Sequence, residues 1–114
     1  MGYTLYWKIT KIPTQAAVNK VLSEIPIIKA LSGSTQLTAD FENTNIPPVF
    51  NSHKIHFNGT HGDAHEDFFI DFKSTTNFNF CKTARKPYDF VASLVLISCA
   101  NNIEGFTFSS DEGK

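Results

Sequence analysis

The stretch Pro87–Ala100, PYDFVASLVLISCA, decides the fold, because it is the most apolar run in the chain and reads either as a buried strand or as a helix. Val91, Val95 and Ile97 are β-branched and suit a strand, and periodicity alone does not separate the two states in a run that is apolar on every face. Its length and its start favour the helix. Pro87 brings the fixed φ and missing N–H that suit a first helical position, and Asp89 sets a carboxylate against the positive end of the helix dipole. No charge follows from Phe90 to Ala100, so this helix is expected in the core, covered all round. It is too short to cross a bilayer.

Immediately before it lies Phe80–Asp89, FCKTARKPYD, which gathers the cations Lys82, Arg85 and Lys86 with the hydroxyls of Thr83 and Tyr88. A turn leading into a helix N-terminus already offers free backbone N–H groups to an anion. The expected ligand-binding set is therefore Lys82, Thr83, Arg85, Lys86 and Tyr88, joined by His65 and Glu66 from mid-chain. Arg85 and Lys82 would pair with the anion, and Thr83 or Tyr88 would add hydroxyl contacts. The competing reading is internal neutralisation. Asp40, Glu42, Asp63, Glu66, Asp67 and Asp71 precede the basic stretch with only Lys54 among them, and a Glu66–Arg85 pair would lock the fold without any ligand.

Upstream, Tyr3, Leu5, Trp7 and Ile9 alternate with Thr4, Tyr6, Lys8 and Thr10, which predicts a half-buried strand. Thr14 is a candidate N-cap for a helix with Ala17, Val18, Val21, Leu22, Ile25 and Ile28 at helical spacing. Pro26 is expected to kink or split that helix, and Gly33 to stop it. Gln36–Phe41 reads as a weak strand, and Asn43–Pro48 as a loop. His53–Phe57 and Asp67–Phe72 read as a hairpin, with Asn58-Gly59 as its turn signal and an unusually long tip. That tip holds His61, Asp63, His65 and Glu66, after His53 and His56 on the preceding strand; these are ligand types for transition metals and general acid/base groups. Gly62 disfavours the helix that would align His61 with His65, and no metal site is assigned. Phe78 and Phe80 are expected on one face of a short strand, and Gly105–Ser110 forms a last strand.

The chain has 114 residues, 41% hydrophobic and 18% charged, enough for one domain over residues 1–114. The expected class is α+β, a mostly antiparallel sheet with two helices packed on one face. Net charge is −1, which disfavours bulk nucleic-acid binding. No leader or membrane span is read, so a cytoplasmic protein with no membrane partner is expected. Cys81 and Cys99 lie at opposite ends of the expected helix, too far apart for a disulfide. Cys99 reads as core; Cys81, beside Lys82 and Arg85, is either core or a thiol of lowered pKa.

The Tyr3–Trp7 stretch, the His65-Glu66 dipeptide, the Phe80–Asp89 block and the Ser109-Ser110-Asp111 element together resemble a group of small uncharacterised bacterial and phage proteins. The similarity runs along most of the chain. It implies a role for Lys82, Arg85, Lys86, Tyr88 and Asp89, in folding or in chemistry. Members continue past Ser109-Ser110-Asp111 with a further segment, so a function carried by that segment is not expected here. Three readings of function follow. The first is binding of an anionic, phosphate-bearing small molecule at the 81–89 turn, without cofactor or metal. The second is a protein-interaction or virion-type module, partnering another protein or itself through exposed aromatics. The third, ranked last, is a hydrolase using His65 or Glu66, for which no complete set of nucleophile, base and orienting group can be read.

Overall fold

Alternation at the start of the chain becomes strand β1 (Thr4–Ile9), whose Leu5, Trp7 and Ile9 are buried while Lys8 faces out. The computed structural model describes residues 3–111; residues 1–2 and 112–114 of the expected domain lie outside them. Thr14 caps helix α1 (Gln15–Leu31), its hydroxyl accepting the Ala17 amide at 3.1 Å. The helix runs through Pro26 without a break, and Pro26 lies on its exposed side. Val18, Val21, Ile25 and Ile28 form the buried stripe, and Gly33 ends the helix at φ +62°.

Strands β2 (Val49–Phe50), β3 (Lys54–Phe57) and β4 (Phe68–Asp71) form one antiparallel sheet, in which Phe57 faces Phe68 and Ile55 faces Ile70. The β3–β4 hairpin is the expected one, but Gln36–Phe41 is not a strand. Only Thr38 bridges, to Asn58, and β2 is too short to have shown periodicity. Strand β5 (Thr76–Lys82) pairs with β1, and β6 (Phe106–Ser110) with its other side, giving a second antiparallel sheet in the order β5-β1-β6.

The decisive apolar run is helix α2 (Tyr88–Asn102). It packs against α1 and β6 and buries Val91, Ala92, Val95, Leu96 and Cys99. It is not covered all round: Phe90 and Ile97 are 51% and 43% exposed. Ser98 donates to the Glu24 carboxylate, and Asn102 Nδ2 reaches the same carboxylate at 3.1 Å, tying α2 to α1. The chain is thus α+β, with two helices and two antiparallel three-stranded sheets around one buried apolar cluster. Among the described residues no helix is long and apolar enough to cross a membrane.

Candidate functional site

Two regions compete as the site: the 81–89 turn, and the outer face of the β5-β1-β6 sheet. The turn is organised by the loop between β3 and β4. Asn58, fully buried, sends Nδ2 to the His65 carbonyl at 2.9 Å and to Asp67 Oδ1 at 2.8 Å, while its Oδ1 accepts the Gly59 and His65 amides at 2.7 and 3.0 Å. Gly59 is required by close approach, since a Cβ there would sit 2.2 Å from the Asp63 carbonyl oxygen. Asn58-Gly59 is therefore the anchor of a folded loop and not a tight turn.

The loop so held presents Glu66 to the end of β5. The Glu66 amide donates to the Lys82 carbonyl at 3.2 Å, the Lys82 amide donates to Glu66 Oε1 at 2.7 Å, and His65 Nδ1 lies 2.9 Å from the same Lys82 carbonyl. Tyr88, fully buried at the start of α2, donates its hydroxyl to the Glu66 carbonyl at 2.5 Å. The buried Thr83 hydroxyl donates to Asp89 Oδ1 at 2.5 Å, and the Thr83 amide to the Tyr3 carbonyl at 2.9 Å. His56 Nε2 completes the cluster 3.0 Å from Asp67 Oδ2.

The structure thus brings His65, Glu66, Lys82, Thr83 and Tyr88 into one network, joining a loop of one sheet, a strand of the other and the start of α2. Most of the bonds run through backbone groups. The Thr83 and Tyr88 hydroxyls are directed inward, at Asp89 and Glu66. The Glu66 carboxylate is directed at the Lys82 amide, and the Arg85 guanidinium lies 4.2 Å from the centroid of the Tyr3 ring, a cation–π contact. Lys86 is half-buried, its amide donating to the Thr83 carbonyl at 3.0 Å. A cavity of about 210 Å³ at the start of α2 is lined by Thr35, Gln36, Thr60, Asp63, Pro87 and Tyr88 among others, and by none of the three cations. Cys81 is core: burial pushes its thiol up to about 12, against the lowered value that its cationic neighbours in sequence suggested. Burial likewise raises the Tyr88 phenol and the Cys99 thiol.

The outer face of β5-β1-β6 was marked in the sequence only by the alternation of Phe78 and Phe80. Their rings stand 5.7 Å apart, and Tyr6 of the neighbouring strand stands 5.9 Å from Phe78. Phe78 is 64% and Phe80 49% exposed. The Tyr6 hydroxyl donates to Asp111 Oδ1 at 2.7 Å, whose other oxygen accepts the Thr4 amide at 2.9 Å; the bond to the carboxylate raises the phenol above its ordinary range. Beside Tyr6 and Phe78 opens a cleft of about 360 Å³, also lined by Lys8, Asn77, Thr107 and Ser109. The free edge of β5 is closed from within. The amides of Phe78, Phe80 and Lys82 are taken by Thr76 Oγ1, Asn79 Oδ1 and Glu66 Oε1.

Comparison of the chain with family models, curated proteins and solved structures finds no match.

Proposed function

We propose that this protein is a non-catalytic binding module that engages its partner through the outer face of the β5-β1-β6 sheet, while the 81–89 turn locks that sheet to the rest of the fold. The observation that carries the reading is the pair of neighbouring, largely exposed rings of Phe78 and Phe80 on a strand whose edge is already closed. Adjacent exposed aromatics forgo burial that is otherwise worth about 1.5–3 kcal/mol for a large apolar side chain, and contiguous apolar surface of this kind marks contact sites. Amide-resolved NMR titration with small planar probes, adenosine and indole, tests it. Shifts are expected on Tyr6, Phe78, Phe80 and Thr107. Shifts scattered over the surface would remove the reading.

A second reading is favoured by one observation. Ala84 and Arg85 sit consecutively at φ +54° and +58°, a left-handed pair without glycine, and such backbone strain concentrates at functional sites. On that reading the turn holds a phosphate-bearing anion between the Lys82, Arg85 and Lys86 side chains. Inorganic phosphate in the same titration separates the two. Saturable shifts confined to Ala84–Lys86, with the rings silent to the planar probes, would establish the anion site in place of the sheet face.

A further inference from the structure

We infer that the cleft between the 39–46 and 58–66 loops is a binding site for a planar guanidinium group, a site that shares no residue with the cleft on the β5-β1-β6 sheet. The two loops are joined at their bases by Thr38 and Asn58, both fully buried, whose backbones exchange hydrogen bonds of 3.1 and 2.8 Å. The first loop closes on itself, the Ala39 amide donating to the Ile46 carbonyl at 3.1 Å and the Asn43 amide to the Asp40 carbonyl at 2.9 Å, and it carries Phe41, 51% exposed. The second is anchored by the Asn58 side chain. The cleft has a volume of about 410 Å³, in the range of ligand pockets, and is lined by Phe41, His61, Ala64, His65 and Glu66.

The polar groups of this cleft are set to accept. His65 Nδ1 lies 2.9 Å from the Lys82 carbonyl, which can only accept a hydrogen bond. In the neutral ring the proton is therefore on Nδ1, and Nε2 keeps its lone pair. Glu66 spends Oε1 on the Lys82 amide, and among the described residues its Oε2 takes no hydrogen bond and its carboxylate no ion pair. Lys82 thus meets both residues through its main chain. The 39–46 and 58–66 loops carry Asp40, Glu42, Asp63 and Glu66 and no lysine or arginine, so the field around the cleft favours a cation. A transition metal is not the cation that fits, because no group of three metal-ligating side chains comes together among the described residues. An organic cation with several N–H donors and a flat face does. Guanidinium has donors only, matches a carboxylate in its own plane, and stacks on an aromatic ring such as that of Phe41; an ammonium has the charge without the plane.

The test is an amide-resolved NMR titration of the whole chain with ethylguanidinium, against ethylammonium, and with two short peptides that differ only in carrying one arginine or one lysine. Saturable shifts are expected on Phe41, His61, Ala64, His65 and Glu66, with ethylguanidinium at least about fivefold tighter than ethylammonium and circular dichroism unchanged throughout. Glu66→Gln keeps an acceptor for the Lys82 amide while removing the charge, and is expected to weaken binding about tenfold. His65→Asn keeps a donor for the Lys82 carbonyl while removing Nε2, and is expected to cost about threefold, as is Phe41→Ala. If Glu66→Gln fails to fold, Phe41→Ala, at an exposed position, decides in its place. An arginine peptide binding at least about tenfold tighter than ethylguanidinium identifies a protein side chain as the source of the group, and equal binding identifies a small free guanidinium compound; either supports the site. Ethylammonium binding as tightly as ethylguanidinium, shifts that avoid these five residues, or folded Glu66→Gln and Phe41→Ala variants that bind as the parent does would overturn it.

Discussion

Asn58 shows how one polar side chain sets the geometry of the network at the end of β5. Its amide group makes four hydrogen bonds within the loop, and its backbone exchanges two more with Thr38, at 2.8 and 3.1 Å. A fully satisfied buried amide is tolerated in a core, but truncating it strands its partners. Asn58→Ala leaves the buried Gly59 amide and the His65 amide and carbonyl without that partner, and stranding a buried group costs about 1–3 kcal/mol. Urea denaturation is expected to show a loss of about 2–4 kcal/mol; a loss under about 1 kcal/mol would mean that the loop is held by other bonds. The sequence offered Asn58-Gly59 as a hairpin signal, and that signal is local. The pairing of Asn58 with Thr38, far earlier in the chain, is one that no short-range pattern reports. For Cys81 the sequence left two readings, core or a thiol of lowered pKa, and the strand turns the residue into the core, where desolvation outweighs the cations beside it in sequence.

At the level of elements, what was legible had a period. Alternation in β1, the cap and stripe of α1, the β3–β4 hairpin and the shared face of Phe78 and Phe80 all follow from side-chain periods of two or about 3.6 residues. The length and Pro87 start of α2 gave its state, but its lack of charge misled about its exposure, since an apolar helix can be left open on the side where the fold places no neighbour. The closure of the β5 edge was not legible, because one of its three caps, Glu66, comes from another loop. That closure carries a prediction. Exposed strand edges recruit other strands, and proteins block them with local devices. Thr76→Val with Asn79→Val removes the caps from the Phe78 and Phe80 amides, and the second change adds a β-branched residue to the edge. Analytical ultracentrifugation is expected to show the double variant self-associating at concentrations where the parent keeps its sedimentation coefficient. An unchanged coefficient would show that the caps are incidental.

At the scale of the whole molecule, the two sheets share no strand, so their union depends on packing and hydrogen bonds between them. Trp7 of one sheet meets Phe68 of the other with ring centroids 5.0 Å apart, Phe68 stacks on Phe57 at 5.0 Å, and Phe57 reaches Tyr88 of α2 edge-on at 6.5 Å. This aromatic chain runs from the β5-β1-β6 sheet through the second sheet to the start of α2, and each of its members is at most 3% exposed. The Glu66–Lys82 bonds clasp the same two sheets at their ends, so the exposed rings of β5 are carried on a support fixed by both packing and hydrogen bonds. Joined in this way, the sheets should unfold together, because both bury their inner residues in one shared apolar cluster. Trp7 fluorescence reports the first sheet, and hydrogen exchange at Ile55 and Ile70 reports the second. In the parent protein both are expected to give one denaturant midpoint. Phe68→Ala removes the ring that bridges them and is expected to cost about 3–5 kcal/mol, the usual range for deleting a buried phenylalanine, while the two midpoints fall together. Midpoints that separate in this variant, or already in the parent, would show that the sheets are independent units and that the aromatic chain does not couple the β5-β1-β6 sheet to the rest of the fold.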